Sequence, residues 1–225
     1  MTEATQSIAA FGGGVSAQTS GAAHERVYRG LRSRIMYGEL SPGEPLTLRG
    51  IGKEFEVSMT PAREAVRRLS AEGALSVSAS GRVTAPELSN DRIEELSVLR
   101  SMLEVELASR ALPRAHMVLI DRLNSINNRI VEYVEENNAV GYIRANLEFH
   151  RTFYLRAQAP AMLAMTETVW LQLGPTMRAL YKRLRRTEAP KYHRMIISAL
   201  RAGDEPGLCL AVRADVTQGL KMLLS

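Results

Sequence analysis

The sequence has few of the features that mark a secreted, membrane-spanning or disulfide-stabilised protein. Its 225 residues include one cysteine, Cys209, which excludes an intrachain disulfide. The neighbours Leu208, Leu210 and Ala211 indicate that this thiol is packed rather than redox-active. No apolar run approaches the roughly 18 residues that a membrane span needs, and residues 1–22 lack the basic start and apolar block of a secretory signal. We therefore expect a cytoplasmic protein that is not bound to a membrane.

Aromatic residues are also scarce, at 5% of the chain, but hydrophobic residues of all kinds make up 45%. That content is enough for sizeable cores, so a disordered protein is excluded. The formal net charge is +5, from 29 Lys and Arg against 24 Asp and Glu. This modest excess permits an anionic partner without requiring one.

Two short amphipathic helices joined by a tight turn are predicted within residues 48–69. In the first, Leu48, Ile51 and Phe55 recur at the spacing of one helical face. Thr47 precedes them as an expected N-cap. The pattern is that of a helix-turn-helix.

The second helix of this pair is predicted to open at Ser58 or Thr60, with Pro61 in its first turn. Arg63 and Arg67 share one face, and Arg63 is placed to donate two parallel hydrogen bonds to guanine. The buried seam has three residues at helical spacing, Ala62, Val66 and Leu69. Such a helix suits DNA recognition, although an ordinary helical hairpin with a solvated basic face has the same spacing.

The residues that follow favour the DNA-binding interpretation. Gly73 is an expected helix C-cap, and segments 75–79 and 82–85 alternate as β-strands around a turn at Ser80-Gly81. A helix-turn-helix followed by a β-hairpin is a winged helix. Arg82 is then expected near the wing tip, within reach of a phosphate or the minor groove.

Residues 24–85 resemble the N-terminal domain of GntR-family transcription regulators. The matching segments include GELSPGEPL (38–46) and VSMTPAREAVRRL (57–69). By motif position, the resemblance places Arg49, Thr60 and Arg63 at DNA-contacting positions, while Met59 replaces a customary arginine. The full set expected to bind DNA is Arg49, Ser58, Thr60, Arg63, Arg67 and Arg82.

The fold predicted for the whole chain is mainly α, with an N-terminal winged helix-turn-helix followed by an all-helical bundle. The expected divisions are a flexible tail (1–22), the DNA-binding domain (23–85), a linker (86–90) and the bundle (91–225). The first helix is expected at His24–Tyr37. Bundle helices are expected near residues 90–111, 114–137, 139–158, 160–183, 187–203 and 205–224. Leu173-Gly174-Pro175 predicts a kink or break in the fourth of these.

The C-terminal half resembles the all-helical FCD ligand-binding domain of the FadR branch of the same family. The resemblance covers roughly residues 90–222. It rests on a segment around Leu99–Glu104, another at Asn146–Arg151, and a third that begins at His193 and ends at Asp215. It implies a domain that binds an effector and forms a homodimer.

A divalent metal site is among the implications of this resemblance, because FCD domains often hold a metal with one Asp and three His. Here His150 and His193 match that pattern, Asn146 stands where Asp is usual, and Asp215 where the last His is usual. Asn146 and His150 are one helical turn apart on the same face. Zn, Ni and Mn accept mixed nitrogen and oxygen ligands. Alternatively, the two histidines line a pocket that holds an organic ligand directly.

Arg100 is predicted to bind the effector, since its guanidinium offers a fork for a carboxylate. The resemblance implies small carboxylic acids or sugar acids as effectors, with Asn146, His150 and His193 completing the site. The alternative for Arg100 is a salt bridge with Glu104 one helical turn away.

We therefore expect a ligand-responsive transcription regulator that is not an enzyme. A homodimer would present two winged helices to a double-stranded DNA operator, and a small carboxylic acid would relieve repression. One alternative is a metal-dependent enzyme using His150 and His193, although no nucleophile–base pair or catalytic carboxylate pair is recognisable. A second alternative is a winged helix that mediates protein contacts only.

Overall fold

The structure is a computed structural model that describes residues 14–183 and 190–224, with side chains from 22 to 183 and from 190 to 217. Within these ranges it has nine α helices and three short strands. The helices are α1 (Gly14–Met36), α2 (Leu48–Glu54), α3 (Met59–Ala71), α4 (Asn90–Ala111), α5 (Met117–Glu135), α6 (Ala139–Tyr154), α7 (Pro160–Arg183), α8 (Lys191–Ala202) and α9 (Glu205–Leu224). The strands are β1 (Pro45–Leu46), β2 (Ser76–Val77) and β3 (Val83–Thr84). The predicted fold class, a winged helix followed by an all-helical bundle, is confirmed.

Helix α1 begins at Gly14, ten residues before the predicted start at His24. Ala17, Gln18 and Ala22 have high helix propensity, and the upstream segment contains no proline, so the helix continues into the expected tail. Residues 1–13 of that tail lie outside the described residues.

The wing is a three-stranded antiparallel sheet with the order β1-β3-β2. The hairpin of β2 and β3 was predicted, and Gly81 makes its turn at a φ of 80°. Strand β1 was not predicted. Its two residues, Pro45 and Leu46, pair with Thr84 and Val83, and so short a segment has no alternating pattern that could have revealed it.

The bundle helices agree with prediction in number and order within the described residues, but several ends differ. Ser89 caps α4, accepting a hydrogen bond from the Arg92 N–H at 3.3 Å. Pro113 lies in a 3-10 turn, which delays the start of α5 to Met117. The expected break at Arg185-Arg186 lies outside the described residues. None of the described helices combines the length and apolarity of a membrane span.

Helix α7 runs continuously through Pro175, so the break predicted at Leu173-Gly174-Pro175 does not occur. The reason is tertiary packing. A Cβ on Gly174 would lie 1.9 Å from the Ile35 carbonyl oxygen of α1, so the two backbones touch at this point. Arg178, one turn further along α7, donates a 2.8 Å hydrogen bond to the Gly38 carbonyl oxygen. Helix α7 therefore packs directly against the winged helix domain.

Replacing Gly174 with Ala is expected to destabilise the chain by at least about 1–3 kcal/mol, because the new methyl group overlaps backbone atoms of Ile35 that cannot rotate away. Equilibrium urea unfolding measures this change. A free energy of unfolding within about 0.5 kcal/mol of the wild type would show that α1 and α7 do not pack this closely.

Candidate functional site

The first turn of α3 presents a polar face to solvent. Ser58, Thr60 and Arg63 are all exposed, and Met59 beside them is 47% exposed. Ser58 occupies the N-cap position, but its hydroxyl does not cap the helix, contrary to one of the predicted capping arrangements. Its hydroxyl and the first backbone N–H groups therefore remain available to a phosphate oxygen.

The opposite face of α3 is buried, which fixes the orientation of the polar face. Ala62, Ala65 and Leu69 are fully buried, and they share one core with Val27 and Leu31 of α1. Arg63 therefore points outward because its helix is anchored from behind. This arrangement is expected of a DNA-recognition helix, here called the reading helix (α3), which is held in place by the domain core.

The other residues expected to bind DNA are exposed around this face. Arg49, on α2, lines the same surface depression as Ser58 and Met59. Arg82 is exposed next to the wing turn. Arg67 is exposed as well, but its guanidinium lies 2.7 Å from a Glu64 carboxylate oxygen. Arg67 is therefore partly neutralised in the free protein.

In the bundle, one carboxylate organises a buried polar network. Glu104 is fully buried, and its Oε1 accepts hydrogen bonds from Arg100 Nε at 2.6 Å and Trp170 Nε1 at 3.0 Å. Its Oε2 accepts a hydrogen bond from the Tyr154 hydroxyl at 3.1 Å. These donors come from three different helices, so Glu104 joins α4, α6 and α7.

Arg100 therefore forms the salt bridge with Glu104 that stood as the alternative to effector binding. The side chain of Arg100 is 6% exposed. Burial lowers the pKa of Arg100, but Glu104, with smaller contributions from Asp215 and Tyr154, raises it, and the net shift is upward. An incoming carboxylate would have to compete with Glu104 for this guanidinium.

His150 links the network around Glu104 to Asp215 on the last helix, α9. Its Nδ1 lies 3.2 Å from the Tyr154 hydroxyl, and its Nε2 lies 3.0 Å from Asp215 Oδ2. His193 stacks on Phe149, with ring centroids 4.0 Å apart. The His193 Nε2 lies 3.3 Å from His150 Nε2 and 3.7 Å from Asp215 Oδ1. Helices α6, α8 and α9 thus bring together His150, His193 and Asp215, as predicted from the sequence.

The ionisation states in this cluster suit metal ligands. Burial raises the pKa of Asp215, but the His193 and His150 imidazoles lower it more strongly, to about 2. Burial lowers the pKa of His193 to about 4, although Asp215 acts in the opposite direction. At neutral pH Asp215 is an anion and His193 is neutral, which are the forms that bind a metal.

The geometry of the cluster also fits a metal. One donor atom from each of His150, His193 and Asp215 lies within 4.8 Å of the others. Two ligands about 2.0–2.1 Å from a tetrahedral zinc are roughly 3.3 Å apart, close to the separation of the two Nε2 atoms. Asn146 is buried one helical turn before His150 on α6. It is the fourth residue of the expected ligand set.

Sequence reasoning missed the contributions of Tyr154 and Trp170, and it assigned Glu104 no role beyond pairing with Arg100. Tyr154 and Trp170 are 50 and 66 residues from Glu104 along the chain. No periodicity connects positions so far apart. The one available signal was that Trp170 is the single tryptophan in the sequence.

An exposed recognition helix, a β wing and a separate helical domain with a buried polar centre define a winged helix regulator with a sensor domain. Comparison with known families agrees. The FCD domain model matches residues 95–218, and the model of bacterial regulatory proteins of the gntR family matches residues 23–83. The chain belongs to the GntR family of bacterial regulatory proteins and carries an FCD domain.

Named relatives are similar over most of their length. The chain is 27% identical over 197 residues to the HTH-type transcriptional regulator McbR of Escherichia coli K12, covering 86% of this chain and 88% of that protein. It is 25% identical to a probable D-xylose utilization operon transcriptional repressor of Paenarthrobacter nicotinovorans, covering 76% and 75%. The solved structure of E. coli McbR/YncC, 24% identical, superposes with a TM-score of 0.81 over 90% of this chain and 97% of that one. This last likeness shows the shared fold.

Proposed function

We propose that this regulator is a cytoplasmic repressor that binds a two-fold DNA operator as a homodimer and leaves it when a small carboxylic acid occupies the helical domain. The observation that carries the DNA-binding part is the exposed face of Ser58, Thr60 and Arg63 on a helix whose other face is buried. Repression, rather than activation, is supported by relatives that are named repressors. Besides the D-xylose repressor, these include the gluconate operon repressor of Bacillus subtilis, 28% identical over 152 residues.

An exposed apolar surface on the bundle supports the homodimer. Val98 is 54% exposed, Leu99 39% and Met102 67%, all on α4. Leu210, 67% exposed, lies on α9, the helix that packs against α4. Exposed apolar side chains on these two adjacent helices favour burial against a second copy. Two winged helices held by such a dimer would meet major-groove faces about 34 Å apart.

We propose that the buried network senses a ligand and does not catalyse a reaction. Glu104 is the fully buried carboxylate of the network, and its oxygens already accept hydrogen bonds from Arg100, Tyr154 and Trp170. A general base needs a lone pair directed at a substrate proton. The bonding of Glu104 therefore favours a structural role.

The metal, proposed to be Zn, Ni or Mn, would be held by His150, His193 and Asp215, whose donor atoms lie close together. Asn146, buried one helical turn before His150, is proposed as a fourth ligand from the family resemblance. When bound, such an ion would supply positive charge that attracts an effector carboxylate. Neighbouring aromatic residues orient the two histidine ligands. Phe149 fixes the plane of His193, and Tyr154 fixes the ring of His150.

Helix α7 connects this centre with the DNA-reading domain. Trp170 donates to Glu104, and two residues later Gln172 Nε2 donates a 3.1 Å hydrogen bond to the carbonyl oxygen of Glu72, the C-cap of α3. The Gln172 Oε1 accepts from Arg92 Nη2 at 2.9 Å. A ligand that shifts α7 would therefore also move the C-terminal end of α3, which would couple ligand binding to DNA binding.

Zinc at about one hundred times its dissociation constant is expected to raise the melting temperature by roughly 5–10 °C, because binding to the folded state alone contributes about 2.7 kcal/mol. The increase should persist in His116→Asn, where an exposed histidine is replaced, and disappear in His193→Gln. Thermal-shift measurements with and without chelator provide the test. Equal shifts in all three proteins would place the ion elsewhere.

The experiment that tests the regulatory function is titration of random and genomic duplex DNA at several salt concentrations, followed by footprinting. We expect affinity to fall steeply with salt, since phosphate contacts release counterions. We also expect a protected site with two-fold sequence symmetry. Salt-independent binding, or none, would favour a winged helix that contacts proteins only.

A further inference from the structure

A partly open cleft lies where the winged helix domain meets the bundle. A cleft of about 480 Å³ is formed between α1, α6 and α7. Its lining includes the arginines Arg32, Arg144 and Arg151 and the apolar side chains of Met36 and Leu147. Its volume falls within the usual range for small-molecule sites.

Positive charge exceeds negative charge around this cleft. Three arginines line it, but only two glutamates, Glu148 and Glu167, do so among the described residues. Glu148 is already bonded to Arg122 at 2.7 Å and to Arg129 at 3.1 Å on its other side. Its charge is therefore compensated before the cleft arginines are considered.

Glu167 is shared between two of the cleft arginines. It lies 2.8 Å from Arg151 Nε and 3.9 Å from Arg32 Nη2. Arg144 stands over the Tyr37 ring at 4.6 Å and is 3.6 Å from a Glu39 carboxylate oxygen. In the part of the chain that the structure describes, Arg32 and Arg144 therefore have no close, directed ion pair. Both can turn toward an anion without losing a short hydrogen bond.

We propose that this interdomain cleft binds a small monocarboxylic acid with an apolar body, at a site separate from the buried network. The carboxylate would bind between Arg32 and Arg144, because guanidinium groups make strong charge-assisted hydrogen bonds to it. The apolar body would lie against Leu147 and Trp170, where its burial adds affinity. The cleft lining thus combines arginines with apolar side chains around one ligand-sized volume.

Such a ligand would contact both domains at once. Arg32 belongs to α1, the helix that supports the reading helix, whereas Arg144 and Trp170 belong to the bundle. Binding would stabilise the present arrangement of the two domains relative to any other. Trp170 also bonds to Glu104 of the buried network, so the two sites are adjacent. The effect on DNA affinity rests on the proposed function, but binding in the cleft does not.

Trp170 makes the proposal directly measurable, because it is the only tryptophan in the chain. The probe is cyclohexanecarboxylate, followed by Trp170 fluorescence in the full-length protein. We expect a saturable change in the wild type and binding at least about tenfold weaker in Arg32→Gln and in Arg144→Gln. Arg194→Gln, which removes an exposed arginine on α8, should bind as the wild type does.

Three results would overturn the proposal. They are the absence of a saturable change, equal binding of the neutral cyclohexanecarboxamide, and undiminished binding in both cleft variants. Loss of binding in His193→Gln with retention in the cleft variants would assign the probe to the buried network instead. Operator affinity is measured separately. If carboxylate binds in the cleft but the protein does not bind DNA, the cleft site stands and the regulatory role fails.

Discussion

Replacing Arg63 with Ala is expected to weaken sequence-specific DNA binding strongly while leaving the fold intact. Arg63 is exposed, and its neighbours Ala62 and Ala65 bury the other side of the helix. A bidentate contact with guanine contributes about 1–3 kcal/mol of discrimination. With one such contact in each half-site of a dimer, the operator dissociation constant should rise by roughly 30-fold to 10⁴-fold. Fluorescence anisotropy with labelled operator measures the change.

Arg201→Ala is the matched control, since it removes one exposed arginine from α8, far from the reading helix in the chain. It should bind operator as the wild type does. Random duplex DNA should lose much less affinity than the operator in Arg63→Ala, because non-specific binding depends on phosphate contacts. If Arg63→Ala and Arg201→Ala bound operator equally well, the first turn of α3 would not be the reading surface.

The second large effect is expected in the bundle. Glu104→Gln should destabilise the protein by about 3–5 kcal/mol, because it leaves the buried Arg100 guanidinium without its carboxylate. The substitution preserves volume, so the loss reports on charge rather than packing. Guanidinium chloride unfolding is the measurement, and the slope should stay constant if unfolding remains two-state.

Glu106→Gln provides the comparison for Glu104→Gln. Glu106 lies on the same helix and pairs with Arg110 at 2.6 Å, but the side chains are 47% and 55% exposed. An exposed pair of this kind contributes about 0–1 kcal/mol. Similar free energies of unfolding for the two variants would mean that Glu104 is not the centre of a buried network.

The structure of the DNA-binding half could be predicted from the sequence because it depends on residues that are close together in the chain. Thr47 caps α2, accepting a hydrogen bond from the Gly50 N–H at 3.0 Å, as its position before the apolar seam indicated. Gly73 follows α3 at a φ of 71°, a backbone conformation that favours glycine. In each case the residue type and its place in the helix determine the structure.

The sensor half was less predictable because its determinants are distant in sequence. The pairing of Arg100 with Glu104 follows the spacing of one helical turn, yet the sequence could not decide between that pairing and an effector contact. The donation from Trp170 to Glu104 depends on how α7 crosses α4. Likewise, Leu173-Gly174-Pro175 predicts a kink or break when read locally, whereas α7 is continuous through Pro175, where Gly174 lies against α1. Tertiary packing overrode the local signal there.

The most direct test of the central claim is a double-mutant cycle between Arg63 and the guanine it contacts in the operator. We expect replacement of that base pair to weaken binding of the wild type by about 1–3 kcal/mol per half-site and to have almost no effect on Arg63→Ala. The coupling free energy would then equal nearly the whole effect of the base change. Additive effects, with the base change costing both proteins equally, would contradict base reading by Arg63.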